Sequence, residues 1–261
     1  MADLRLVLIQ TRAQLTSIGR NRRAMVITVV IPIVLLVMFN SIFGGGSDTT
    51  QLAGARVTAR AYFTGGMLAY AMVGAAFSTL AMTLVTQRET GQLKRYRGTP
   101  VPAWTFVAAV VMRVAVMVGL ITAVLLTIAR LAYGVAISGE ALADITVYVL
   151  VGTATLCSVG IAATTVATDV GSASAALPLA TVLLSLISGI FVPVDQLPGW
   201  LAEIGRAFPV YHVAAGLQTA LGVGGDTSLH AGDLAVLVGW AVGGVVVAVR
   251  GFRWEPQATA A

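Results

Sequence analysis

The sequence is short of nearly everything a water-soluble enzyme needs. Only 10% of its 261 residues are charged, against 57% hydrophobic, where an average soluble domain carries about 25% charge. So few charges cannot coat a water-facing globule of this length, which excludes a soluble fold. Cys157 is the single cysteine; it sits in an apolar run and has no second thiol in the sequence for a disulfide. Lys94 is the single lysine, set between Leu93 and Arg95. A phosphate-cradling loop of the form G-x-x-x-x-G-K-S/T is therefore absent, and any ATP hydrolysis has to occur on another polypeptide. Histidine occurs only as His212 and His230, and neither H-E-x-x-H nor G-x-S-x-G is found. That inventory leaves no metal site and no activated nucleophile, so the sequence predicts a non-catalytic chain with no cofactor of its own.

What the sequence does have is apolar length, with a mean hydropathy of +0.90. Six apolar runs stand out at 24–43, 61–86, 107–129, 145–168, 177–194 and 234–249. They are close to the roughly 17 to 25 residues that cross about 30 Å of hydrocarbon as helix. None alternates with period two, which excludes a membrane barrel and leaves helices. Ahead of the first run, Leu4, Val7, Leu8, Thr11, Leu15 and Ile18 recur at helical spacing, with Arg5, Arg12 and Gln14 on other faces. This predicts an amphipathic helix over 1–22 lying in the membrane interface. The second run carries Gly65, Gly66, Gly74, Ala75 and Ala76, small residues suited to close helix packing within or between chains. The expected fold is an all-α integral membrane protein, one domain over 1–255 with six transmembrane helices, followed by a disordered tail over 256–261.

Charge is distributed by side. Arg5, Arg12, Arg20, Arg22, Arg23, Arg88, Lys94, Arg95, Arg97, Arg113, Arg250 and Arg253 fall at one end of the alternating spans. At the other end lie Arg56, Arg60, Arg130 and Arg206, in company with Asp48, Glu140, Asp144, Asp195, Glu203, Asp226 and Asp233. The positive-inside bias then places both termini in the cytoplasm, so the net charge of +5 reads as topology and as affinity for anionic lipid, not for nucleic acid. Ionisable groups at the membrane midplane, the mark of an ion-coupled carrier, are nearly lacking. Arg113, about two turns into the third run, and Asp169, at the end of the fourth, are expected to pair.

Two connecting stretches carry more than membrane-flank composition. The first runs Gln87-Arg88-Glu89-Thr90-Gly91-Gln92-Leu93-Lys94-Arg95-Tyr96-Arg97-Gly98-Thr99-Pro100, within a segment expected over 87–102. An early acid and later bases suit a short helix dipole, Gly91 permits close backbone approach, and Pro100 stops the turn. The second, within 194–232 and the residues just before, runs Ser188-Gly189-Ile190-Phe191-Val192-Pro193-Val194-Asp195-Gln196-Leu197-Pro198-Gly199-Trp200-Leu201, with Phe208-Pro209-Val210-Tyr211 after it. Pro193 and Pro198 break helix, Trp200 suits the headgroup level, and Leu201, Ile204 and Phe208 form an apolar stripe. About forty residues between the last two runs, too apolar for a water-facing domain, predict short re-entrant helices packed against protein.

The first stretch resembles the cytoplasmic segment of ABC-2 type permeases, the membrane subunits of ABC exporters related to daunorubicin-resistance transporters, which reads E-R-E-x-G-T-L-K/E-R-L-x-x-T-P. Arg88, Glu89, Gly91, Leu93, Lys94, Arg95, Thr99 and Pro100 match; Gln87 and Tyr96 depart from it. The second stretch, S-G-x-F-x-P-x-x-x-L-P-x-W-L with P-x-x-Y following, is similar to that family's segment after its fifth span. The resemblance implies the type V exporter architecture, in a multi-pass protein of a bacterial plasma membrane. It implies a coupling segment that docks a separate P-loop ATPase, with Arg88, Glu89, Gly91, Leu93, Lys94, Arg95, Arg97 and Pro100 at the contact. It also implies an outer gate built on Gly189, Phe191, Pro193, Leu197, Pro198, Trp200 and Pro209. ATP and magnesium would bind the ATPase, a second permease chain, identical or similar, would complete the pathway, and an amphipathic antibiotic, lipid or glycolipid would be exported. Composition alone also fits a stand-alone channel or ion-coupled carrier, which would work without an ATPase, and a scaffold that binds a cytoplasmic protein and moves nothing.

Overall fold

The computed structural model describes residues 2–20, 22–43, 50–52, 55–57, 59–167, 169–224, 229–252 and 254. Helix α1 (Ala2–Arg20) leads into α2 (Arg22–Phe43). A short antiparallel hairpin of β1 (Thr50–Leu52) and β2 (Ala55–Val57) follows, in the register Thr50↔Val57 and Leu52↔Ala55. Next comes a single rod over Ala59–Glu89, made of α3 (Ala59–Met72), a π-helical stretch (Val73–Thr79) and α4 (Leu80–Glu89). The short α5 (Gln92–Arg97) precedes two long helices, α6 (Ala103–Tyr133) and α7 (Gly139–Ala163), and then α8 (Val170–Ile187). After a 3-10 turn at Val194–Gln196 come α9 (Gly199–Ala207), α10 (Pro209–Ala220) and α11 (Ala231–Gly251). The rod, α6, α7, α8 and α11 are long and apolar enough to cross a membrane, and α2 supplies a shorter apolar stretch over Thr28–Phe43. The protein is thus an all-α, multi-pass membrane protein, as its composition predicts.

The rod is the hub. In its most apolar window 67% of residues are buried, against 22% in α8 and 17% in α11. Since a helix apolar all round faces lipid or another helix wherever it is not packed, α8 and α11 form the periphery and the rod the centre. Met67, Leu68, Met72 and Leu80 of the rod are fully buried, which makes the methionines packing residues. The wider π turn brings Ala76 and Phe77 carbonyls against α7 at Gly160, where a Cβ would sit 3.0 Å from both oxygens. Gly65 and Gly66 are likewise used inside the chain, against the Gln218 backbone and the Ile190 carbonyl, whereas Gly74 meets nothing within 4 Å.

Several sequence expectations shift. The fifth span begins at Val170 and not at 177, because the Asp169 carboxylate accepts from Ser172 N (2.8 Å) in a capping box that starts α8 and the run Gly171–Ala176, weak in hydropathy, is helical. That use of Asp169 also replaces the expected pair with Arg113: the buried Arg113 lies instead beside Cys157 of α7, its Nε without a hydrogen-bond partner. The third span is longer than its apolar run, reaching from Ala103 to Tyr133. On α1 the protein-facing side is Val7, Gln10 and Thr11, against α6, while Leu8 and Ile9 are exposed; the side chains of Leu4 and Ile18 lie outside the described residues. The hairpin was not legible, its three-residue strands being too short for a periodic signal. The tail 256–261 lies outside the described residues.

Candidate functional site

At the basic end of the bundle the rod stops at Glu89, and Gly91 turns the chain with a left-handed φ of +71° before α5. A Cβ on Gly91 would meet nothing within 4 Å, so this glycine serves backbone conformation and not the close approach expected of it. Helix α5 is pinned on one side only. Leu93 is 1% exposed within the core, and the Tyr96 ring packs on Phe106 of α6 at 4.8 Å, with Trp254 on the far side of Phe106 at 6.0 Å. Burial in this aromatic cluster raises the Tyr96 phenol pKa, so its hydroxyl stays neutral. Lys94, Arg95 and Arg97 point away and are exposed. The helix ends at Arg97, three residues before the exposed Pro100, with Thr99 Oγ1 donating to Tyr96 O at 2.7 Å.

The two charged residues just before this helix both bond to the turn between α7 and α8, Arg88 from a buried position and Glu89 from an exposed one. Arg88 is 3% exposed; its Nη1 donates to Thr164 O at 2.9 Å and its Nη2 to Ala167 O, both in the turn after α7. Glu89 Oε2 accepts from Val170 N at 3.3 Å, at the first residue of α8. The expected coupling residues therefore divide into a set held to the bundle, with Arg88 and Leu93 buried and the exposed Glu89 bonded to Val170 N, and an outward set, Lys94, Arg95 and Arg97.

At the opposite end the chain leaves α8 through Ser188 and Gly189, the latter with φ +76°. The Gly189 carbonyl accepts from Tyr62 Oη of α3 and from Gln218 Nε2 of α10 (3.0 Å). Phe191 lies between Phe39 of α2 (5.8 Å) and Tyr70 of α3 (5.6 Å). The buried Pro193 caps the 3-10 turn, Leu197 is half-buried, and Pro198 caps α9. Helix α9 turns Ala202 and Gly205 inward, with a Cβ on Gly205 placed 2.0 Å from Ile187 O. Trp200 is 66% exposed and Ile204 44%, whereas Leu201 and Phe208 of the expected apolar stripe are half-buried, Phe208 stacking on Trp240 of α11 at 5.9 Å. Pro209 opens α10 at its first turn, where a missing N–H costs nothing.

Helix α10 is held between α3 and α7, and Gly216 lies so near the Tyr148 ring that a Cβ would come within 2.1 Å of it. His212 is part-buried and bridges the Asp233 carboxylate of α11 and the Arg206 carbonyl of α9. Arg206 and Asp195 approach to 3.6 Å, but both are about half exposed, and such a pair contributes little. Tyr62 and Tyr148, inside apolar runs, and Gln218, in the connection between the last two runs, had no signal in the sequence, belonging to no motif. Among the described residues no group of His, Cys, Asp or Glu could hold a metal ion.

The family model described as ABC-2 type transporter matches residues 5–221, from α1 to the end of α10. No curated protein matches the sequence.

Proposed function

Since the chain belongs to the ABC-2 type transporter family, and is thereby a non-catalytic membrane component of an ABC transporter, we propose that it forms half of an export pathway driven by a separate P-loop ATPase docked on α5. One observation carries the reading: a short helix at the basic end, anchored on one side by Leu93 and Tyr96, presents Lys94, Arg95 and Arg97 to solvent on the other. An anchored helix with a cationic outer face can transmit force from an acidic docking surface, which a loose basic loop cannot. The positive-inside bias puts this end and both termini in the cytoplasm of a bacterial plasma membrane, where ATP and magnesium bind the ATPase and not this chain.

The segment from Gly189 to Pro209 then lies at the outer face and closes the pathway from outside. A second permease chain, identical or similar, completes the pathway, in keeping with the small buried share of α8 and α11. An amphipathic compound, such as a drug, lipid or glycolipid, is the substrate class a largely apolar pathway suits. The test is gentle solubilisation of the tagged chain from its native membrane and identification of stoichiometric companions. A P-loop ATPase in the complex is expected; recovery of the chain alone, in a detergent that preserves such complexes, overturns the proposal in favour of a channel or carrier.

A further inference from the structure

We propose that Arg88 and Glu89 are positioning residues that lock helix α5 to the turn between α7 and α8, so that a displacement of α5 is carried directly to the fourth and fifth spans. The inference rests on the reading of α5 as the docking helix and says where its motion goes. Residues of opposite sign, adjacent in sequence, meet the opposite ends of two consecutive helices. The C-cap carbonyl of Thr164 belongs to the negative end of α7, and Arg88 donates to it and to the Ala167 carbonyl in the turn that follows; the N–H groups opening α8 form a positive end, and Glu89 accepts from the first, at Val170. Each charge sits where a helix dipole favours it, and the bonds to Thr164 O and from Val170 N satisfy backbone groups that the helices themselves leave open.

The link from this clamp to α5 is short and hydrogen-bonded. Thr90 N donates to Thr86 O (3.0 Å), Gly91 N to Arg88 O (3.1 Å) and Arg95 N to Gly91 O (3.2 Å), so the one-residue turn at Gly91 is bonded to α4 through its N–H and to α5 through its carbonyl. Leu93 pins α5 to the same core, and α4 packs along α8 and α7. A docking role for the Arg88 charge itself is excluded by its burial at 3% exposure: a partner cannot read a guanidinium whose donors are turned to Thr164 and Ala167.

The experiment uses the chain with its co-purified ATPase in lipid nanodiscs, spin-labelled at two exposed positions by Gln92→Cys on α5 and Ser174→Cys on α8; the native Cys157 is buried. With the clamp intact, one label-to-label distance population is expected, unchanged when ATP and vanadate trap the ATPase. Arg88→Met and Glu89→Ala are expected to add a second, longer population while the ATPase stays bound at wild-type stoichiometry. Glu89→Gln, which keeps an acceptor oxygen but no charge, is expected to restore the single population, a rescue that a docking charge would not allow. The inference is overturned if Glu89→Ala and Arg88→Met leave the distribution single, or if they release the ATPase, the outcome expected of a charge reversal at Arg95. Should Arg88→Met fail to accumulate, the exposed Glu89 pair of variants decides alone. If no ATPase accompanies the wild-type chain, the docking reading fails, and the label distances in nanodiscs still decide the clamp.

Discussion

At the basic end, the turn between the rod and α5 is fastened by charged side chains reaching helix termini, with cationic groups left over on the surface. At the far end, the segment from Gly189 to Ala220 is fastened mostly by hydrogen bonds from neutral side chains and by contacts so close that only glycine fits, with the part-buried contact of His212 to the Asp233 carboxylate as the charged exception. The difference teaches what each end is for. Charged links and an exposed cationic face suit an end that meets a partner in water, where electrostatic complementarity selects the partner. Close neutral packing suits an end that seals against itself beside lipid, where unsatisfied backbone groups are costly.

The comparison can be broken most severely at the far end. Gly205→Ala would set a Cβ 2.0 Å from the Ile187 carbonyl, a backbone atom that cannot step aside; a loss of about 3 kcal/mol is expected, read as a lower Tm in detergent. Gly199→Ala, with nothing within 4 Å, is the control and should leave Tm unchanged or slightly raised. At the basic end, Arg88→Met strips the Thr164 and Ala167 carbonyls of a donor and should cost about 2 kcal/mol in the same melt.

A smaller effect sharpens the contrast. Tyr62→Phe or Gln218→Leu alone removes one of two donors to the Gly189 carbonyl and should cost about 1 kcal/mol each. Together they should cost more than their sum, because only then is that carbonyl left bare, and a double-mutant cycle measures the excess. The smallest stability change is expected from Trp200→Ala, at a position 66% exposed: within about 0.5 kcal/mol, with ATPase retention unaltered and export reduced.

Much of this was legible from residue patterns. Six apolar runs announced the five long apolar helices and the shorter apolar stretch Thr28–Phe43, because a membrane helix must be apolar through its whole length. Gly171–Ala176 hid the start of α8, since small residues carry little hydropathy and the deciding signal was a cap, Asp169 to Ser172. The π stretch left no trace, being one extra residue in a turn. At the candidate site, the exposed Lys94, Arg95 and Arg97 were visible as a basic cluster. The bonds of Arg88 and Glu89 to the turn between α7 and α8 were not, because in sequence they merge with that cluster, while their partners lie 76 to 81 residues away. The same distance problem concealed Tyr62, whose acceptor is 127 residues on.

The measurement that bears most directly on the account is site-specific photo-crosslinking in native membranes, with the reactive group placed at Arg95 in one sample and at Trp200 in another. Both positions are exposed, and they mark opposite ends of the bundle. The account predicts an adduct with a P-loop ATPase from position 95 and none from position 200. An ATPase adduct from position 200, or its absence from position 95 while the complex is intact, would contradict it.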